Sequence, residues 1–272
     1  MISDDKLRKL TAVAKGIRRN IIDTGYLAGK KGAHFGGSLS MAEILAVLYS
    51  DFVNYDTSNL EARDRVILSK GHAALALYCA LFEKGLLTKE DLGSFEQNGS
   101  EFVAHSKRNL QKGIGFSGGS LSLGCSYAVG VAYACRLKGL ANKVYVILGD
   151  GELDEGLVWE SLLFASHKKL DNLVLIIDHN HLQADGAIED VLDTAPLKEK
   201  LLAFGYDVFV ADGHSVEDMY KTLSSLTFKK PAAIIAETRK GKGVSFMEDR
   251  AKWHHGSLNE SRYLKAIREQ EE

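Results

Sequence analysis

The spacing of apolar positions along the chain predicts alternating helices and strands. Leu7, Leu10, Val13, Ile17 and Ile21 recur at helical intervals and predict a helix over residues 5–29. Ser40 and Glu43 stand three residues apart ahead of an apolar run to Leu48, the pattern of a capping box at a helix start. Val66-Ile67-Leu68 reads as a short buried strand, closed by Ser69-Lys70-Gly71-His72 and followed by an apolar helix from Ala73. Residues 98–118 carry little periodicity and many Gly, Ser and Lys, which predicts a long loop, and loops of that length are often functional. Gly119 to Leu137 is rich in Gly, Ala and Ser and reads as a helix in close contact with its neighbours. Val144–Leu148 is a strong strand ending in Gly149-Asp150-Gly151, and a helix is expected over 156–169. Leu173–Ile177 is a further strand, ending in Asp178-His179-Asn180. Strand-like runs return at 207–211 and 232–237, with a helical stretch over 216–226 between them. From Lys240 onward the chain is polar and is expected to pack on the surface.

Strands that alternate with helices imply crossover units, hence an α/β fold with a mostly parallel sheet and helices on both faces. No repeat or linker divides the 272 residues, so a single domain over 1–272 is expected. Composition narrows the function classes. Hydrophobic residues at 45% and charged residues at 26% exclude a disordered chain. Lys plus Arg total 34 against 36 Asp plus Glu, so no basic excess supports nucleic-acid binding. Cys79, Cys125 and Cys135 lie in apolar, helix-like stretches and cannot all pair within one chain, which fits free thiols in a reducing compartment. The N-terminus has no apolar signal core, and no apolar run is long enough to span a bilayer. The expected location is cytoplasmic, away from membranes.

The candidate chemistry sits at two strand ends. In open parallel sheets ligands bind beyond the carboxyl ends of the strands. Asp150 and Asn180 follow consecutive strands that, if adjacent, lie roughly 5 Å apart. One carboxylate, one amide oxygen and a carbonyl just beyond, at Leu182, are too few to cage Ca2+ but suit Mg2+, which completes its shell with phosphate oxygens and water. Gly149 and Gly151 let a diphosphate approach the backbone, and the following helix offers its N-terminal N–H groups. These features together read as a metal–diphosphate clamp.

At this point the sequence resembles the thiamine-diphosphate enzymes, whose signature runs here as GDGELDEGLVWESLLFASHKKLDNLVLIIDHN. More closely, it resembles the N-terminal, diphosphate-binding half of the transketolase family over nearly the whole chain. GAHFGGSLSMAEILAVLY, RDRVILSKGHAALALY, GGSLSLGCSYAVGVA and KGKGVSFMEDRAKWHHG follow in the family's order. The resemblance implies that Asp150, Asn180 and the Leu182 carbonyl hold Mg2+, with Ca2+ or Mn2+ as alternatives. It places Gly149, Gly151 and Glu152 at the diphosphate, His72 near it, and Gly119 and Leu121 against the aminopyrimidine. His34, His105 and His255 would line the substrate channel, His255 being favoured over His254 because it directly precedes Gly256. Glu155 and Glu160 read either as surface carboxylates at a helix start or, by the resemblance, as part of a carboxylate relay across an interface between protomers. Lys107, Arg108, Lys240 and Lys242 stay open between solvent-facing and anion-binding readings. His167, His179, His181 and His214 receive no role. The usual GPLGQG-like turn stands here as Gly119-Ser120-Leu121-Ser122-Leu123-Gly124, so the pocket over the pyrimidine is expected to differ in shape.

The resemblance also implies the activity and the partners. A two-carbon ketol unit would pass from a ketose, or its phosphate, to an aldose. The chain lacks the carboxylic acid that activates the aminopyrimidine, which in the family comes from a pyrimidine-binding domain. A separate C-terminal transketolase subunit is therefore expected, in an α2β2 assembly, with the Gly119–Leu137 and Leu157–Ala165 helices as candidate contact surfaces. Rival readings are a chain of a 1-deoxyxylulose-phosphate synthase-like or 2-oxoacid-decarboxylating enzyme, a non-catalytic cofactor-binding scaffold, and a nucleotide-binding dehydrogenase. The last would need a G-x-G-x-x-G turn at a strand end followed by an acidic strand end, which the strand ends here lack.

Overall fold

A computed structural model describes residues 2–55 and 59–271. Its centre is a five-stranded parallel sheet in the order β1-β2-β3-β5-β4. The strands are β1 (Arg65–Leu68), β2 (Val144–Gly149), β3 (Leu173–His179), β4 (Asp207–Asp212) and β5 (Ala232–Glu237). The helices in the first half of the chain are α1 (Asp4–Leu27), α2 (Phe35–Leu39), α3 (Ala42–Val47), α4 (Ala74–Glu83), α5 (Lys89–Gly93) and α6 (Leu123–Leu137). Those in the second half are α7 (Gly156–His167), α8 (Ile188–Val191), α9 (Leu197–Ala203), α10 (Val216–Ser224) and α11 (Glu260–Glu271).

Strand side chains alternate between faces, so each strand feeds two cores. Val66, Tyr145, Ile147, Val174, Ile176 and Ile234 pack with α1, α3, α4 and α10 on one face. Ile67, Val146, Leu148, Leu175, Ile177 and Ile235 pack with α6, α7 and α9 on the other. Burial on both faces is why these strands read as unbroken apolar runs. Helix α1 starts where Ser3 caps it, its hydroxyl accepting from the Lys6 N–H, and it buries Leu10, Ala14, Ile17 and Ile21. All three cysteines are buried free thiols.

Three expectations change. Ser40 and Glu43 do not form a capping box. The Ser40 hydroxyl donates to Asp178 at 2.6 Å, and Glu43 is taken by Arg18 and His214. Helix α6 starts at Leu123, not Gly119, because Ser122 takes a left-handed backbone at φ 70° and the preceding residues form a turn. The segment from Lys240 is not a surface appendage: Lys240, Val244, Met247 and Trp253 are buried, and α11 buries Ala266 and Ile267. Among the described residues, no helix is long and apolar enough to cross a membrane.

Candidate functional site

Parallel pairing sets Leu148 beside Ile177 and Gly149 beside Asp178, so β2 and β3 deliver Asp150 and Asn180 to one end of the sheet. A cavity of about 350 Å³ opens there. Its floor is Gly149, Asp150, Gly151, Asn180 and Leu182, and Gly119 and Leu121 close one side. His34, His72, His105 and His254 also line it, with Lys70 and Lys240.

Close backbone approaches hold these loops together. A side chain at Gly71 would meet the Gly119 nitrogen at 2.7 Å, so the turn after β1 and the turn before α6 touch main chain to main chain. A reciprocal pair of hydrogen bonds joins Ala33 to Gly256, at 2.8 and 3.0 Å. Gly32 faces that bridge with φ +69°, and a Cβ there would lie 2.3 Å from the Gly256 carbonyl oxygen. This bridge draws the tail histidines onto His34. The His34 ring lies 5.3 Å from His254 and 4.6 Å from His255.

The floor is charged and buried. Burial would push the Asp178 carboxyl up, but the Lys70 ammonium, with hydrogen bonds from Lys70, Ser40 and Thr238, holds it below its ordinary value. Among the described residues, Asp150 forms no such ion pair. Burial, then the Asp178 charge, raises its carboxyl, and its oxygens accept the Gly151 N–H at 2.9 Å and the His181 N–H at 2.5 Å. Burial also raises Glu152, which accepts from Ser69, from the Ser122 N–H at 2.7 Å and from the Gly149 N–H at 3.2 Å. It lines the cavity, yet its carboxylate is spent on joining three loops, which explains the turn at Ser122.

Three of the lining imidazoles, His34, His72 and His254, are held below their ordinary range. Burial, then the neighbouring His255, His254 and His105, lowers His34 to about 3. Burial, then Lys240 and Lys70, lowers His254 to about 4. Burial and Lys70 also push His72 well below its usual range. A neutral imidazole carries one donor and one acceptor, which suits hydroxyl groups. Burial, then Lys70, lowers Lys240 to about 8, and its ammonium donates to the carbonyls of Leu182 at 3.0 Å and Gln183 at 2.9 Å.

The donor set fits a divalent cation with a diphosphate. A buried carboxylate disfavoured as an anion gains from a cation beside it. The Leu182 carbonyl has a second lone pair beyond the one Lys240 uses. Two buried ammonium groups, Lys70 and Lys240, face the same space as an anion would.

The cavity gathers His34, His72, His105, Gly119, Leu121, Gly149, Asp150, Gly151, Glu152, Asn180 and Leu182, all candidates on sequence grounds. It does not gather two others. His254, not the favoured His255, lines the wall; His255 is exposed behind it, edge-on to His34. Glu155 is an exposed residue at the start of α7, outside the cavity, and its side chain caps nothing. The cavity adds Lys70, Gln183 and Asp185, which sequence reasoning misses, and it settles Lys240 as a lining residue. Lys70 and Lys240 follow β1 and β5, so the strand-end rule that finds Asp150 is also their signal.

A parallel α/β sheet with an acidic, glycine-lined clamp at its carboxyl ends defines a cofactor-binding domain of the diphosphate-holding class. Residues 11–270 match the family described as transketolase, thiamine diphosphate binding domain. The chain is 39% identical over 256 residues to one subunit of an apulose-4-phosphate transketolase from Phocaeicola vulgatus, covering 93% of this chain and 90% of that one. It is 39% identical over 248 residues to one subunit of a 6-deoxy-6-sulfo-D-fructose transketolase from a Clostridium species, covering 89% and 90%. Transketolase from Leishmania mexicana superposes with a TM-score of 0.87 at 29% identity, over 96% of this chain but 41% of that one. The chain belongs to the transketolase family and corresponds to its thiamine-diphosphate-binding domain.

Proposed function

We propose that this chain is the diphosphate-binding subunit of a two-chain transketolase that moves a two-carbon ketol unit between sugars bearing an anionic group. The observation that carries the reading is one cavity lined together by Asp150, Asn180, Leu182, four histidines and two buried lysines. Asp150, Asn180 and the Leu182 carbonyl would hold Mg2+, or Ca2+ or Mn2+ in its place. Lys240 and Lys70 offset diphosphate charge, and Gly119 and Leu121 meet the aminopyrimidine. Bound thiamine diphosphate supplies the electron sink for breaking a ketose C2–C3 bond. His34, His72, His105 and His254 orient the sugar hydroxyls, and His34, His72 and His254, held neutral, can each donate and accept one hydrogen bond. The relatives named for a sugar phosphate and a sulfo-sugar support an anionic substrate.

The partner is a pyrimidine-binding C-terminal subunit, in an α2β2 assembly. Similarity to relatives that are themselves named as single subunits of a transketolase, and alignment with only 41% of a full-length transketolase, support that reading. The outer side of α6 and α7 is its docking surface, where Leu123, Leu137, Leu163 and Phe164 are exposed beside a groove lined by Val129, Leu157 and Glu160. Glu160 is the chain's candidate for a carboxylate contact across that interface, with Glu155 at the start of the same helix. The buried thiols fit a cytoplasmic setting.

The test is calorimetric binding of thiamine diphosphate with Mg2+, for wild type and Asp150→Ala, with and without the partner chain. Tight binding in the pair, lost in the variant, is expected. Turnover of ketose phosphates or hydroxypyruvate is then expected to exceed that of pyruvate. Absence of binding in the folded pair overturns the cofactor assignment, and preference for pyruvate overturns the ketol-transfer reading.

A further inference from the structure

The exposed side of the same strand ends carries a cluster that the ketol-transfer site does not use. His179 and Glu237 are register partners at the ends of β3 and β5, so parallel pairing sets their side chains side by side on one face. The turn after β3 brings His181 to the same carboxylate. His179 Nδ1 lies 3.1 Å from one Glu237 oxygen, and His181 Nε2 lies 3.0 Å from the other. The two imidazole rings are edge-on at 4.1 Å. All three side chains offer their ligand atoms within 4.8 Å of one another. Among the described residues, the Glu237 carboxylate has no Lys or Arg partner; the neighbouring Arg239 is engaged by Glu248 and Asp249.

We propose that His179, His181 and Glu237 form a second divalent-cation site, separate from the Asp150 clamp, that takes a Zn2+-class transition-metal ion. Zinc bound at about 2.0–2.1 Å by nitrogen and oxygen in a tetrahedron needs ligand atoms roughly 3.3 Å apart, close to the 3.1 and 3.0 Å from His179 and His181 to the Glu237 carboxylate. Two imidazoles and one carboxylate select a borderline ion over Mg2+, which prefers an all-oxygen shell. His179 is largely buried while His181 and Glu237 are about half exposed, so the ion enters from solvent and a water completes its shell.

The site has a structural consequence. His181 holds a left-handed backbone at φ +62°, a conformation unfavourable for any residue with a Cβ. In that conformation its N–H reaches Asp150 at 2.5 Å. An ion joining His181 to His179 and Glu237 pins the turn that carries Asn180 between β3 and β5. The second cation thereby braces the clamp without touching what the clamp holds.

The experiment is a calorimetric titration of ZnCl2 into the full chain in excess Mg2+, for wild type, His179→Ala, Glu237→Gln and Asp150→Ala. Removing an outer hydrogen-bond partner of a metal ligand already weakens binding by roughly 10–100-fold, so losing a ligand is expected to weaken it by more than about 100-fold. One equivalent should bind in wild type and in Asp150→Ala, and weaken by that factor in the other two. Co2+ in place of Zn2+ should give wild type the strong visible absorption of a four-coordinate ion, absent in Glu237→Gln. Either of two results overturns the proposal: no saturable zinc uptake by wild type, or uptake that survives His179→Ala and disappears in Asp150→Ala. Circular dichroism verifies that each variant is folded. None of these readouts involves thiamine diphosphate, so they stand apart from the test of the ketol-transfer reading.

Discussion

At the carboxyl ends of β1, β2 and β3 the protein buries charge: Lys70, Asp150, Glu152 and Asp178 are 1%, 4%, 2% and 0% exposed. On the outer side of α6 and α7 it does the reverse, leaving Leu123, Leu163 and Phe164 at 49%, 57% and 41% exposed. Both arrangements run against the usual cost of burying ions and exposing apolar surface. They are resolved differently. Buried ions in the cleft find counter-ions and donors within this chain, as Lys70 does with Asp178 and Glu152 with Ser69, Ser122 and Gly149. Among the described residues, the exposed leucines stay open to solvent. The cleft is therefore completed by folding, and the helix face is the surface proposed for assembly.

That contrast is broken most severely at Lys70. Lys70→Met leaves Asp178 buried without its cation, and truncating one partner of a buried pair costs about 3–5 kcal/mol. The urea midpoint of the chain alone is expected to fall accordingly; an unchanged midpoint would mean that the cleft is hydrated and its charges need no internal partners. Leu163→Asp tests the other region. It places a charge in the expected interface and should cost about 3 kcal/mol of partner affinity, while the urea midpoint moves by no more than about 0.5 kcal/mol equivalent. The reverse pattern would reassign that face to the folding core. Glu152→Gln sharpens the cleft side. The amide keeps one acceptor where the carboxylate offered two oxygens to three donors, a loss of about 1–3 kcal/mol in stability. The turn at Ser122 should loosen with it, read as faster amide hydrogen exchange at Ser122 and Gly149.

The same division explains what the sequence discloses. All five strands are legible, and the central ones most directly, because a strand buried on both faces is a local signal: Val144–Leu148 and Leu173–Ile177 are uninterrupted apolar runs. Asp150 and Asn180 are legible because a strand end is a position, readable without knowing the partner. What escapes depends on contacts distant in the chain. Ser40 reads as a helix cap until Asp178, on another strand, claims its hydroxyl. Ser122 reads as helical until Glu152 captures its N–H. The segment from Lys240 reads as solvent-facing polar chain, yet Lys240 reaches Leu182 and the Ala33–Gly256 bridge ties the tail to the first histidine loop. Adjacent letters do not encode that, of His254 and His255, only His254 lines the cavity.

The smallest effect separates the two regions by pH. His34 and His254 are lowered to about 3 and about 4 in the folded chain, first by burial, against an ordinary value of 6.5. As pH falls from 6.5 towards 4, the unfolded chain takes up protons on these imidazoles that the folded chain refuses. Stability therefore falls with pH across that window and the contribution levels off below about 3, where both states are protonated. His34→Asn removes one of the three lowered imidazoles and also relieves the third, His72, of a charged neighbour. Its urea midpoint is expected to drop less between pH 7 and pH 5 than that of wild type. Leu163→Asp serves as the control, since it adds no imidazole to the cleft and should keep the acid slope of wild type. Equal slopes for all three proteins would show that the histidine wall is open to water in solution, and the cleft would then resemble the helix face in waiting for a partner to close it.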